Sequence, residues 1–192
     1  MFDSDGELSN IEIAILTLED RRFFYHFGVE LRAIPRLLRR YFRTRKIGGI
    51  STIEQQVVRI VTTRYERSAR RKIKEILISF FLNFHVGKRE ILHFHLNASY
   101  FGYGLSGCNS AAKLFFGKEA EMLGLSEASI LSACLPVPCP RILVDFITKN
   151  GPFYDSESLL KAADSVDPRW VGEMRFRSKI VLSSNYRVLR RR

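Results

Sequence analysis

Three short stretches in the first half of the chain gather side chains that can move protons and hold anions. LEDRRFFYHFG supplies Glu19 and Asp20 beside Arg21, Arg22 and His26. GGISTIEQQVVR supplies a glycine loop, the hydroxyls of Ser51 and Thr52, the amides of Gln55 and Gln56, and Arg59. RRKIKE supplies Arg71, Lys72 and Glu75, spaced so that on a helix all three present together. A carboxylate can take a proton from a hydroxyl, and fixed cations can receive developing negative charge. Each stretch alone has an ordinary structural explanation as well. The acids can be solvated at a helix end, Ser51 or Thr52 can cap a helix, and the third stretch can be a surface ion-pair ladder.

Charge sets these stretches apart from the rest. The 192 residues carry 31 Lys and Arg against 20 Asp and Glu, a net charge of +11. From Glu19 to Glu75 there are 16 basic and 6 acidic residues, while the remainder is nearly balanced at 15 and 14. So local an excess calls for an anionic partner: nucleic acid, an anionic membrane surface or a phosphorylated substrate. With 46% hydrophobic and 27% charged residues, the chain can build a core and is not a largely disordered one. Cys108, Cys134 and Cys139 have neither a disulfide framework nor zinc-ligand spacing. No run reaches the roughly 18 apolar residues of a membrane span, and the acidic, polar start MFDSDGELSN does not read as a signal peptide.

The elements that must position these residues read as mainly helical. Ile11, Ala14, Ile15 and Leu18 form a helical stripe ending at Glu19 and Asp20. Residues 30–43 read as a basic helix with Pro35 at a start or kink, and 44–50 as a loop. A helix is expected to start at Ser51 or Thr52, since Glu54 and Gln55 stand three residues on. Ile73, Ile76, Leu77, Phe80, Phe81 and Phe84 give a wide apolar face to a helix over 69–86. Shorter helices are expected over 88–97, 110–116 and from Ser126 to before Pro136; 136–156 reads as loop with one strand-like run.

Some short strings carry nothing. Gly102-x-Gly104-x-x-Gly107 lacks the preceding strand and βαβ unit of a dinucleotide site. Ser110-x-x-Lys113 lacks the partner motifs of a serine acyl-enzyme. His93 and His95, two apart, point to different sides of a helix and are not a metal pair.

In order along the chain, the strings resemble the peptidoglycan glycosyltransferase family (glycosyltransferase family 51), found as stand-alone enzymes and as the first module of class A penicillin-binding proteins. The family's E-D-x-x-F-x-x-H-x-G is matched from Glu19 to Gly28, and its G-x-S-T-I-x-Q-Q from Gly49 to Gln56. Arg71 to Glu75 match R-K-x-x-E, Ile91 to Lys118 resemble its fourth block, and Ala128 to Pro136 its hydrophobic block. The resemblance covers about residues 10–140. This chain has His95 where the family usually has Tyr, Glu54 for Thr, Cys134 for Gly and Val137 for Gln, and residues 141–192 match poorly.

The resemblance implies a single domain over 1–192 with a mainly α, lysozyme-like helical fold, a larger globular lobe and a small membrane-facing jaw lobe at about 29–47. It implies polymerisation of lipid II into glycan strands by inverting transfer, with release of undecaprenyl pyrophosphate. Glu19 would be the base, and Glu75 a second catalytic residue that assists or orients the leaving-group site through the adjacent cations or a divalent metal. Asp20, Arg22, His26, Ser51, Thr52, Gln55, Gln56, Arg59, Arg71 and Lys72 would bind substrate. No cofactor is required and no residue set is assigned to a metal, although a divalent cation (Mg or Mn) is compatible with the chemistry. The implied partners are lipid II, lipid-linked glycan, the membrane surface and other cell-wall synthesis proteins, with no nucleic acid. The implied location is the outer face of the cytoplasmic membrane. Two other readings stand beside it: a basic helical nucleic-acid-binding domain, and a family member that binds lipid II without turnover.

Overall fold

The structure, a computed structural model, describes residues 7–30, 39, 43, 51–63, 65, 66 and 68–184. Apart from residues 29, 30, 39 and 43, the expected jaw segment lies outside these, as do most of the helix expected over 30–43 and the last residues of the tail. The described residues are mainly helical and fall into two compact units, Glu19–His95 and Met1–Leu18 with Leu96–Arg192.

The unit Glu19–His95 holds all three charged stretches. Its elements are the end of α1 (Asn10–Glu19), a 3-10 turn at Phe23–Tyr25, α2 (Ile53–Thr62), α3 (Ala69–His85) and most of α4 (Lys88–Ala98). Thr52, not Ser51, is the N-cap of α2. Its hydroxyl oxygen accepts from the Gln55 amide N–H at 3.4 Å while its own proton goes to the Gly28 carbonyl at 2.8 Å. Ser68 caps α3 in the same way, accepting from the Arg71 N–H at 3.1 Å. Gly28 sits at φ +75°, and a Cβ there would lie 2.5 Å from the Ser79 carbonyl oxygen, so the chain can pass this close to α3 only as glycine. Among the unit's described residues, Phe23, Ile53, Val57, Val58, Ile91 and Leu92 are the buried apolar ones.

Helix α3 is amphipathic in reverse. Its buried residues are Glu75 and Ser79, with Arg71 and Lys72 half-buried on the same side. The apolar residues point outward: Ile73 is 59% exposed, Phe81 60% and Phe84 62%. Phe27, itself exposed, stacks on Phe84 with ring centroids 6.4 Å apart.

The other unit is a helical body. Ile11, Ile13, Ile15 and Leu16 of α1 are fully buried. A hairpin of β1 (Tyr100–Gly102) and β2 (Leu105–Ser106) precedes α5 (Cys108–Phe116), pairing antiparallel with Tyr100 opposite Ser106. A Cβ on Gly102 would lie 2.6 Å from the Cys139 carbonyl oxygen, so this glycine serves the close passage of two strands of backbone and not a phosphate. Helix α6 (Leu125–Ala133) is buried nearly all round. It starts at Leu125, one residue before the expected Ser126, and the Glu127 carboxylate turns back and accepts the Gly124 N–H at 2.8 Å.

The loop expected over 136–156 is corrected by α7 (Arg141–Asn150). Ile142, Val144, Ile147 and Thr148 are β-branched and read as a strand by propensity. The fold instead buries Leu143 and Ile147, four apart, on one helical side, and packing overrides the propensity. Helix α8 (Ser156–Asp164) and helix α9 (Pro168–Leu182) follow. Proline opens α9, where its missing N–H costs nothing, and Asp167 caps it by accepting from the Arg169 and Trp170 N–H groups. α9 packs along α6, with the Ser129 and Ser178 hydroxyls 2.7 Å apart.

Candidate active site

The start of α2 is the hub of the charged unit. Glu19, the last residue of α1, is half-buried, and its Oε2 accepts from the Gln56 side-chain Nε2 at 2.7 Å. The other end of that amide, Oε1, lies 3.0 Å from Nε2 of His95, which is fully buried on α4. Burial pushes the His95 pKa down to about 4, against the pull of the Asp20 charge, so its ring is neutral at pH 7.

The neighbouring glutamine faces the cations. Gln55 Nε2 donates to the Gly28 carbonyl at 2.9 Å, and its Oε1 accepts from Lys72 Nζ at 2.6 Å. Lys72 also donates to Ser51 Oγ at 2.9 Å. Glu75, 2% exposed, is ringed by three cations. Arg59 Nε donates to it at 3.0 Å, the Arg71 guanidinium donates one helical turn away, and Lys72 Nζ stands at 3.7 Å. Arg59 reaches Ser51 too, at 3.4 Å. Among the described residues, three positive groups against one carboxylate leave this nest with surplus positive charge. Burial lowers the Lys72 pKa; Glu75 opposes the lowering, and Arg59 and Arg71 add to it. An anion entering the nest would relieve that cation crowding, which is what a phosphate site requires.

The remaining predicted residues hold the scaffold. Asp20 is buried; both its oxygens lie 3.0 Å from His26 Nε2, and Oδ2 accepts the Ile53 N–H at 3.2 Å, placing a negative charge at the start of α2. Thr52 is spent on its cap. Arg22 pairs with Glu30 at 3.0 Å and lies over the Tyr25 ring rather than joining the nest. Phe23 is core, as expected, whereas Tyr25 and Phe27 are exposed.

Asp20, His26 and Glu54 form the one group among the described residues whose donor atoms could converge on a metal, all within 4.8 Å of one another. These donors are already committed. Glu54 is ion-paired with Lys88, whose ammonium also lies 4.5 Å from the Phe23 ring centre, and Asp20 is held by His26 and Ile53. The set therefore does not fit a divalent ion without displacing a cation already in place.

Glu54, Lys88 and His95 are the residues that motif reading left outside the site. Lys88 has no sequence signal. Glu54 and His95 had one, as departures from the resembled motifs at buried positions. An open groove of about 480 Å³ between α6, α8 and α9 lies in the other unit and holds none of these groups.

Comparison with known proteins identifies the family. The family described as Transglycosylase matches residues 7–145, somewhat beyond the stretch over which the motifs were read. The chain is 35% identical to penicillin-binding protein 1A of Aquifex aeolicus over 83% of its own length and 21% of that protein's. It is 35% identical to the biosynthetic peptidoglycan transglycosylase of Haemophilus influenzae over 67% of its length and 53% of that protein's. Penicillin-binding protein 1F of Bacillus subtilis is 32% identical over 65% of this chain and 18% of that protein. The chain thus spans about a fifth of the penicillin-binding proteins and about half of the Haemophilus influenzae protein. With the family match covering most of its length and Glu19, the glutamine pair and the cation nest gathered in one unit, this chain belongs to the transglycosylase family.

Proposed function

We propose that this chain is a peptidoglycan glycosyltransferase that joins a lipid-pyrophosphate-linked glycan to lipid II at the outer face of the cytoplasmic membrane. Glu19 takes the proton of the acceptor's 4-hydroxyl as that oxygen attacks the anomeric carbon. The bond from that carbon to the pyrophosphate oxygen breaks, the configuration inverts, and the electron pair leaves on the pyrophosphate. Arg59, Arg71 and Lys72 hold the departing charge, with Arg71 able to grip a phosphate through two N–H groups. Glu75 fixes those three cations in place and is too enclosed by them to act as a proton carrier. Ser51 and Gln55 steady Lys72 and offer neutral hydrogen bonds to phosphate or sugar oxygens. The leaving group's developing charge is met by these side chains.

One observation carries this reading. The adjacent residues Gln56 and Gln55 tie Glu19 and the Lys72 corner of the cation nest to the same turn of α2. The basic third alone would also suit nucleic acid, but the outward side of α3 is apolar and its Arg71 and Lys72 turn to Glu75, which argues against that use. Membrane contact through the outward face of α3 belongs to the proposal.

The test is polymerisation of labelled lipid II. The wild-type chain makes glycan strands. Glu19→Gln keeps its fold and lowers the rate by at least ~10²-fold, the ordinary worth of a positioned base. A variant that polymerises at near-normal rate sinks the assignment of the base. A wild-type chain that retains lipid II but makes no glycan is the binder without turnover.

A further inference from the structure

We propose that His95 is a positioning residue for Glu19, acting through the side-chain amide of Gln56. This rests on the reading of Glu19 as the base. A primary amide has one donor end and one acceptor end. Gln56 Nε2 stands 2.7 Å from a carboxylate oxygen, which only accepts, so the amide's donor end is fixed toward Glu19. Its oxygen is then fixed toward His95, 3.0 Å away, and an amide oxygen only accepts. His95 must therefore carry its proton on Nε2, and the hydrogen bonds run in one direction, from His95 to Gln56 to Glu19.

The surroundings of the ring enforce the same direction. His95 is 0% exposed and neutral at pH 7, so it has one proton to place. Its Nδ1 is buried with no hydrogen-bond partner among the described residues, and the proton settles on the nitrogen that has an acceptor. Among the described residues the charged group acting on the ring is Asp20, itself held by His26 and the Ile53 N–H. A neutral donor chain orients the carboxylate without setting a full positive charge beside it, which would lower its basicity. The ring does this where the resembled motif carries Tyr, whose hydroxyl can rotate.

The experiment compares His95→Phe, which keeps a ring and removes the donor, with His95→Gln, which keeps an N–H at similar reach. The carboxyl of Glu19 is followed by carbon-13 NMR, assigned by its loss in Glu19→Gln, alongside lipid II kinetics. In His95→Phe the amide is released, Glu19 loses a bond to its charged form, and its titration midpoint rises by ~0.5 pH or more. kcat falls ~10-fold or more, KM stays within about twofold because the cation nest is untouched, and the acid limb of kcat/KM moves with the midpoint. His95→Gln returns the midpoint and kcat toward wild type. If the Glu19 midpoint in folded His95→Phe equals that of wild type, or if His95→Gln fails to restore it, the proposal is overturned. The NMR readout needs no turnover, so an active Glu19→Gln would sink the reading of the base and leave the fate of the His95 link to the midpoint alone.

Discussion

At the scale of single residues, burial decides what each titratable group can do. His95 gives the clearest case. Its pKa is about 4 in the folded protein against an ordinary 6.5, because the charged ring would lose its water. Between those values the unfolded chain binds a proton that the folded chain does not, so stability is full above about pH 6.5 and falls as the pH drops toward 4. The loss across that window is about 3 kcal/mol, from 1.36 kcal/mol per pKa unit. Urea unfolding at a series of pH values should show this slope in wild type and a shallower one in His95→Gln. Equal slopes would show that another group governs the acid limb. The acids, amides and cations of the site were legible in the sequence because their spacing repeats a known pattern. The Glu54–Lys88 pair was not, since its partners are 34 residues apart and neither spacing nor periodicity links them. His95 was visible only as a departure, and its partner on α2 lies 39 residues away.

At the scale of elements, α2 and α3 were legible for local reasons: a hydroxyl cap with a partner in the first turn, then a helical period. Periodicity marked the apolar face of α3 but could not say which way it points. The structure turns it outward, because the polar side is needed to wrap Glu75 and to let Gly28 pass at Ser79. An exposed run of Ile73, Leu77, Phe81 and Phe84, extended by Phe27, is costly in water and suits a bilayer whose anionic headgroups would meet the exposed Arg70 and Lys74 of the same helix. Wild-type protein should sediment with vesicles containing anionic lipid and, more weakly, with neutral ones. Phe81→Glu combined with Phe84→Glu should reduce binding at least ~10-fold while leaving the thermal midpoint nearly unchanged, since both side chains already face solvent. Undiminished binding by that double variant would remove α3 from the proposed membrane contact. The misreading of α7 has the opposite cause: a β-branched run looks like a strand until the burial of Leu143 and Ile147 is known.

At the scale of the whole molecule, the family match stops at residue 145, yet the body that begins with α1 does not. Helices α8 and α9 lie beyond the match, and α9 covers α6, which belongs to the matched hydrophobic block. Trp170, Val171, Met174 and Val181 of α9 are buried, and Met174 Sδ stands 4.0 Å from Cys134 Sγ at the end of α6. At about 1.5–3 kcal/mol for each large apolar side chain, that burial is comparable to the entire ~5–15 kcal/mol of a domain's stability. The C-terminal helices are therefore part of the fold rather than an appendage, and a chain cut at the family boundary should lose the body they complete. Cys134 reports this directly. Burial raises its thiol pKa well above the ordinary value, and a thiol that is neither ionised nor accessible reacts only when the helices open. In the full chain at pH 8, a disulfide reagent should modify Cys134 at a rate limited by unfolding. In a chain ending at residue 145, modification should approach the rate in denaturant, with loss of a cooperative thermal transition. If the shortened chain protects Cys134 as well as the full one, the matched region folds alone and α9 only lies upon it.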